Sequence, residues 1–311
     1  MTGIFVILTI CMMTLGAPTQ VAAQSIVEGP LVLRVPASAR LLGMANAGLA
    51  ANDADVLFYN PGMLASARGL SLSMQRYGSA ATAGSMATVT TVGSITVGIG
   101  AQALRWQTPA ARYDNAVRFG TTHLADTPRA GSEAASSAFT LGLARTIKGL
   151  RLGAAVKYAE DRLREMADGT VAFDVGFSRP LGPATLAITA QNLGAGPRLG
   201  GVEAAMPRRI GVGWGGSMSQ WEYWDLGMQA QLTVEGDDWF VRPAGGVELG
   251  YVPIEGVSIL VRSGLRLPRE RDESLVTAGL GVTVDRFSFD YAMEPMRGGR
   301  PVSHRVGIRL K

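Results

Sequence analysis

The chain has 311 residues, 47% of them hydrophobic and 17% charged, with a net charge of +4, 40 glycines and a single cysteine. About a quarter charged residues would be usual for a soluble domain. Beyond the N-terminal leader no segment reaches the roughly 18 apolar residues of a spanning helix, which excludes a helical membrane protein but not a barrel, whose apolar residues are spread one in two along its strands. The basic residues alternate with apolar ones and never form a run interleaved with aromatics, so no nucleic-acid partner is expected.

Residues 1–23 read as an export signal. Ile4 to Leu15 is a short apolar core, followed by Gly16, Pro18 and the small stretch Val21-Ala22-Ala23, with cleavage expected after Ala23 or Gln24. No Lys or Arg precedes the apolar core, a departure from the usual pattern. Cys11 lies within that core, and Leu8-Thr9-Ile10 before it is not the small-residue approach lipidation needs. The exported chain then has no cysteine, hence no disulfide framework, thiolate chemistry or thiolate metal site.

The decisive signal is period two. In Trp224–Val234 the even positions are Trp224, Leu226, Met228, Ala230, Leu232 and Val234, and the odd ones are polar or small. Successive side chains on a strand point to opposite faces, so one face is apolar and the other polar. The pattern recurs at Leu152–Tyr158, Val171–Phe177, Phe287–Met293 and Val302–Leu310. Fourteen strands are expected, at 69–77, 82–92, 94–106, 136–147, 150–163, 168–178, 183–193, 207–217, 221–235, 239–252, 256–267, 273–284, 286–294 and 302–310. Many are long enough for a tilted strand to cross the hydrocarbon, whereas soluble strands are mostly about five or six residues. Tight links such as Lys148-Gly149 tend to alternate with longer ones such as Gln107–Ala135, Gly194–Met206 and Pro295–Pro301, as turns and loops do at the two ends of an outer-membrane barrel. The fold expected is all-β, a closed antiparallel transmembrane barrel over residues 69–311 with both termini periplasmic. A soluble sandwich fits less well, because the polar faces carry Gly, Ala and Ser where solvated faces would carry Lys, Glu and Thr.

Catalytic patterns are missing. His123 falls in a long link and His304 on the lipid-facing register, no HExxH, GxSxG or P-loop motif occurs, and Gly98-Ile99-Gly100 and Gly211-Val212-Gly213 lie inside strands, the wrong context for a dinucleotide. The chain is expected to be non-enzymatic, with no cofactor or metal. The lumen-facing register carries Lys157, Asp174, Gln191, Asp225, Gln229, Glu248, Arg262, Arg266, Asp290, Arg305 and Arg309. Both signs are present in similar number, which suits a buried ion-pair network inside a plugged barrel better than a selective pore.

Residues 24–68 differ in kind. From Leu33 onward they lack sustained alternation, carry an acidic turn at Asn52-Asp53-Ala54-Asp55 and break at Asn60-Pro61-Gly62. Pro61 removes a backbone donor and Gly62 permits positive φ, so a tight turn is expected there. So long a segment is read as a hatch folded into the lumen, with Arg40, Gly43, Asp53, Asp55, Asn60, Pro61 and Gly62 as its key residues.

These residues carry a resemblance. Ser38-Ala39-Arg40, Leu42-Gly43-Met44, Asp53-Ala54-Asp55 and Phe58-Tyr59-Asn60-Pro61-Gly62-Met63-Leu64 resemble the hatch of FadL-like outer-membrane proteins, and more closely that of the PorV/PorQ family of type IX secretion. Val156-Lys157-Tyr158, Ala172–Gly176, Ala190–Gly194 with Met206-Pro207, Gly246-Val247-Glu248, Ala278–Gly281, Phe289-Asp290-Tyr291 and His304-Arg305-Val306 extend the match to the end of the chain. In that family the hatch usually reads Asn-Pro-Ala, and Gly62 in place of Ala is expected to loosen the turn. The resemblance implies a non-enzymatic barrel in outer-membrane lipid that binds secretion or surface-attachment proteins. The alternative it leaves open is a FadL-like passive transporter whose partner is a hydrophobic small molecule.

Overall fold

The computed structural model describes residues 29–79, 81–107, 133–163, 166–199, 202–271 and 273–311. Fourteen antiparallel strands close into a barrel. They are β1 (Gly69–Tyr77), β2 (Ala81–Val92), β3 (Ile95–Gln107), β4 (Glu133–Ile147), β5 (Leu150–Leu163), β6 (Met166–Leu181), β7 (Ala184–Leu193), β10 (Arg209–Trp221), β11 (Trp224–Glu235), β12 (Phe240–Ile254), β13 (Val257–Arg266), β14 (Val276–Val284), β15 (Phe287–Glu294) and β16 (Ser303–Leu310). A two-stranded hairpin, β8 (Arg198–Leu199) and β9 (Val202–Glu203), sits in the β7–β10 link. Strand ends agree with the sequence reading to within four residues, and β16 pairs with β1, so no sheet edge remains among these strands. That closure is what a bilayer demands, since lipid offers an unpaired backbone group no partner.

Among the described residues, six barrel connections are two residues long: 93–94, 148–149, 182–183, 222–223, 255–256 and 285–286. Lys148 and Gly149 both have positive φ, the conformation a two-residue hairpin needs to match strand twist. All six lie at one end, with the start of β1 and the end of β16, and short turns mark the periplasmic side. The strand ends Tyr77 and Ala81, Leu163 and Met166, and Glu235 and Phe240 lie at the opposite, extracellular end. Residues 1–28, which include the segment read as an export signal, and residues 108–132 of the Gln107–Ala135 link, with His123, lie outside the described residues; Gln107 itself ends β3, and Glu133 opens β4.

Along each strand buried and exposed positions alternate. On β5, Leu152, Val156 and Tyr158 are exposed while Ala155, Lys157 and Ala159 are buried. The exposed set is the lipid face. The wall is uneven in height: β4, β6 and β12 have 15, 16 and 15 residues, whereas β14, β15, β16 and β1 have 9, 8, 8 and 9.

Residues 29–68 lie inside. Three 3-10 turns (Leu31–Leu33, Ala54–Phe58 and Pro61–Ser66) and one short helix, α1 (Ala39–Leu42), make a hatch whose Leu41, Leu42, Leu57 and Leu64 are fully buried. Its first described residues sit in the extracellular half, where Gly29 N–H donates to Ala205 O, and it runs down to β1 at the periplasmic rim.

The register predicts a depth-dependent cost. Val156→Arg, at the middle of β5, should destabilise the folded barrel by about 2–4 kcal/mol, and Leu152→Arg, two residues from a periplasmic turn, by about 1 kcal/mol or less. Urea titration of folding into lipid vesicles measures both, and equal costs would contradict the register.

Candidate functional site

The hatch fits because the wall facing it is nearly bare. Gly98, Gly100 and Gly142 lie against Leu57, Phe58 and Leu64, while Gly246 and Gly264 lie against Met44 and Ala45. A Cβ at any of these positions would fall within about 3 Å of hatch atoms. The approach is tightest where Asn60, Pro61 and Gly62 meet Gly153 and Gly176. A Cβ on Gly62 would lie 2.5 Å from the Gly176 carbonyl carbon and the Phe177 nitrogen. This corrects the expectation of a loosened, positive-φ turn: Gly62 is not among the positive-φ residues. It stands second in the 3-10 turn Pro61–Ser66, and glycine is required there because two backbones touch. Asn60 caps that turn, its Oδ1 accepting from Gly62 N at 2.9 Å while its Nδ2 donates to Leu49 O at 3.0 Å.

Turn and helix bonds such as Leu42 N–H to Ser38 O and Asn60 N–H to Val56 O satisfy part of the hatch backbone, and wall side chains satisfy more of it. Ala45 N–H donates to Thr277 Oγ1 at 2.8 Å, and the N–H groups of Gly48 and Leu49 share Gln231 Oε1 at 3.0 and 3.2 Å. Gln191 Nε2 donates to Phe58 O at 2.9 Å, and Ser178 to Gly62 O. A buried amide or carbonyl left unpaired would cost about 1–3 kcal/mol.

Three arginines and three carboxylates then form a closed ring. Arg40 meets Glu248 at 3.0 Å and Asp53 at 3.2 Å; Arg262 meets Glu248 at 2.5 Å and Asp290 at 2.8 Å; Arg309 meets Asp290 at 2.6 Å and Asp53 at 3.5 Å. Each group touches two of opposite sign, so the ring is neutral. Arg40 and Asp53 belong to the hatch, while the others come from β12, β13, β15 and β16. Beside it, burial and then the neighbouring Asp53 carboxylate push the Asp55 carboxyl up to about 6. A raised carboxyl favours its neutral form in the folded state, so its contribution to stability grows as pH falls through 6 toward the unfolded value near 4.

The remaining lumenal residues occupy separate places. Lys157 pairs with Asp174 at 2.7 Å, and Asn192 joins them, accepting from Lys157 Nζ at 2.9 Å and donating its N–H to Asp174 Oδ1 at 2.8 Å. Arg266 is paired with Glu294 on the extracellular side. Arg305 has no carboxylate partner among the described residues and is held instead by Ser73, Ser85 and Gln75. Gln229 is buried against Gly215. Asp225 is half-buried and lines a polar cavity of about 520 Å³ that also includes Glu248 and the periplasmic-end residue Arg151. Gly43 abuts Gly279. Sequence reasoning missed Asn192, Gln231 and Thr277. Asn192 had a readable signal, for it sits at φ 56° in a register shift between β6 and β7, a conformation asparagine tolerates. Gln231 and Thr277 had none, because nothing in a strand pattern says which polar side chain meets an internal segment.

The extracellular half of the lumen is divided. On the β1–β6 side Val32, Leu33 and Met206 pack with the wall alanines Ala83, Ala138, Ala159 and Ala172. On the β10–β16 side lie Arg209–Glu235, Arg242–Glu235 and Arg242–Glu273, and Arg34 ties the hatch to Glu270 in the β13–β14 loop at 2.9 Å.

The same fold recurs in solved structures. The chain matches the Ralstonia pickettii toluene transporter TbuX with a TM-score of 0.57 at 12% identity, covering 92% of this chain and 99% of that one. It matches a Pseudomonas aeruginosa FadL homologue with a TM-score of 0.56 at 11% identity, covering 92% and 98%. For the Pseudomonas putida toluene transporter TodX the TM-score is 0.54 at 10% identity, covering 85% and 96%. Neither a family model nor a curated protein matches the sequence. The finer PorV/PorQ resemblance has no counterpart among these three structures.

Two outcomes are expected. Gly176→Val should drive the Asn60–Gly62 turn off the wall, so that protease cleaves within residues 33–68 of purified protein while the barrel core stays resistant. Asp290→Asn should leave Arg262 and Arg309 short of an anion and cost about 3 kcal/mol or more, read as a lowered midpoint in urea unfolding.

Proposed function

We propose that the chain is a passive conduit for hydrophobic small molecules across the outer membrane, with the hatch as its gate. The observation that carries this reading is the apolar cluster in the extracellular half of the lumen, where Val32 and Leu33 pack with the wall alanines Ala83, Ala138, Ala159 and Ala172. A water-filled pore has no use for an alanine wall, whereas a hydrocarbon replaces the side chains of Val32 and Leu33 there at the loss of the bond from Val32 N–H to Ser136 Oγ. The fold supports the same reading, since the matched structures include proteins described as toluene transporters and a monoaromatic hydrocarbon channel. Cells producing the protein should take up labelled toluene or a long-chain fatty acid several-fold faster than cells carrying an empty vector. Ala159→Glu, which puts a charge into the apolar cluster, should remove that gain in a barrel that still shows heat-modifiable migration. Uptake at the empty-vector rate for both compounds would overturn the reading.

A second reading makes the chain a protein-binding component of type IX-like secretion or surface attachment. It is favoured by the filled lumen and by the motifs shared with the PorV/PorQ family. It takes precedence if uptake is absent and deletion of the gene releases surface proteins into the medium.

A further inference from the structure

The outward face of the low part of the wall is built unlike the rest. Strands β14, β15, β16 and β1 have only eight or nine residues, so with the usual tilt they span about 20 Å, short of the apolar band of about 25 Å typical of such barrels. Across these strands runs an apolar groove of about 560 Å³, lined on its open side by Leu72, Met74, Leu280, Phe289, Val306 and Ile308. Tyr291 closes its extracellular end, and Tyr291 OH bonds His304 Nδ1 at 2.7 Å with the two rings stacked 6.0 Å apart. Arg76 is the strand partner of His304. It is exposed, its Nε donates only to Gly78 O, and no carboxylate pairs with it among the described residues.

Among the described residues, the charge on the outward faces of β15, β16, β1 and β2 has one sign. Strands β1 and β2 contain no Asp or Glu, and the acids of β15 and β16, Asp290 and Glu294, are buried on the inward face and held by arginines. Arg297 in the β15–β16 loop adds a further cation at the same end. An outward cation at membrane height is costly unless an anion meets it. A bilayer that thins to match a low wall brings its outer-leaflet headgroups down to the level of Arg76 and His304.

We infer that this face is a binding site for an anionic lipid of the outer leaflet, its phosphate held by Arg76 and His304 and an acyl chain lying in the groove below Tyr291. The occupant is a phosphorylated lipid rather than free phosphate, because the cations stand directly above an apolar trough. The site is independent of what passes through the lumen.

The test uses the full protein in detergent, incubated with lipid A, phosphatidylglycerol or phosphatidylcholine and examined by native mass spectrometry, together with a lipid A analogue carrying a photoreactive acyl chain. Lipid A should be retained at least tenfold more than phosphatidylcholine, and cross-links should fall on β1, β15 and β16. The double substitution R76Q/H304Q should reduce lipid A retention about tenfold, R76K with His304 intact should preserve it, and V306W, which fills the groove, should reduce it without touching the charges. Heat-modifiable migration checks that each variant is folded. Equal retention of lipid A and phosphatidylcholine, undiminished retention in R76Q/H304Q and V306W, or cross-links spread evenly around the barrel as general annular contact would each overturn the site.

Discussion

The structure depends on how closely the hatch and the wall approach each other. A closed barrel of fourteen strands encloses more space than its own side chains need to fill, and the space here is taken by a segment with little regular structure. Such a segment exposes backbone donors and acceptors at every residue, and each must find a partner because no bulk water surrounds it. The wall answers with small residues that let the hatch come near and with Gln191, Gln231, Thr277 and Ser178 placed to receive its backbone. The 40 glycines of the chain acquire a physical reason, since many of those facing inward touch the hatch.

The ring of Arg40, Glu248, Arg262, Asp290, Arg309 and Asp53 settles which way the hatch sits. Removing six charges from water is expensive, and the ring stabilises the fold only because every member touches two opposite charges. An intact ring adds modest net stability, while a ring missing one member leaves an uncompensated buried charge. It therefore acts chiefly as a device of specificity: a hatch shifted along the lumen would leave Arg40 and Asp53 unmatched. Its wall members stand on the inward faces of β12, β13, β15 and β16, so β15 and β16 carry the ring inside and the lipid groove outside.

The two sides of the extracellular lumen divide the work. Opposite the charged β10–β16 side, the alanine-lined β1–β6 side holds Val32 and Leu33 by apolar contact, with one directional bond from Val32 N–H to Ser136 Oγ. Apolar contacts are not directional and are exchanged for those of another apolar molecule at little cost, whereas the ion pairs and amide bonds lower down are not. The side chains of Val32 and Leu33 thus hold to the wall by apolar contact, whereas Asn60–Gly62 lies backbone against backbone on β6.

Period two along the chain was enough to determine the strands, their outward and inward faces and the closed antiparallel class, because in a bilayer each strand must hide its backbone in a neighbour and turn every second side chain to lipid. Sequence alone also named all six residues of the ring, four of them because a charge on the inward register of such a strand has nowhere else to go. It could not pair them, because Asp53 and Arg309 are 256 residues apart and meet only when the barrel closes around the hatch. The role of Gly62 was misread for the same reason: the turn looks local, but the atoms that forbid a side chain belong to Gly176 and Phe177 on β6. The height of the wall was latent in the strand lengths, yet the groove and the meeting of Arg76 with His304 exist only because the last strand of the chain closes against the first. Alternation is a property of one strand in one environment and can be read from a line of residues; contact between distant segments is a property of closure, and only the tertiary structure decides it.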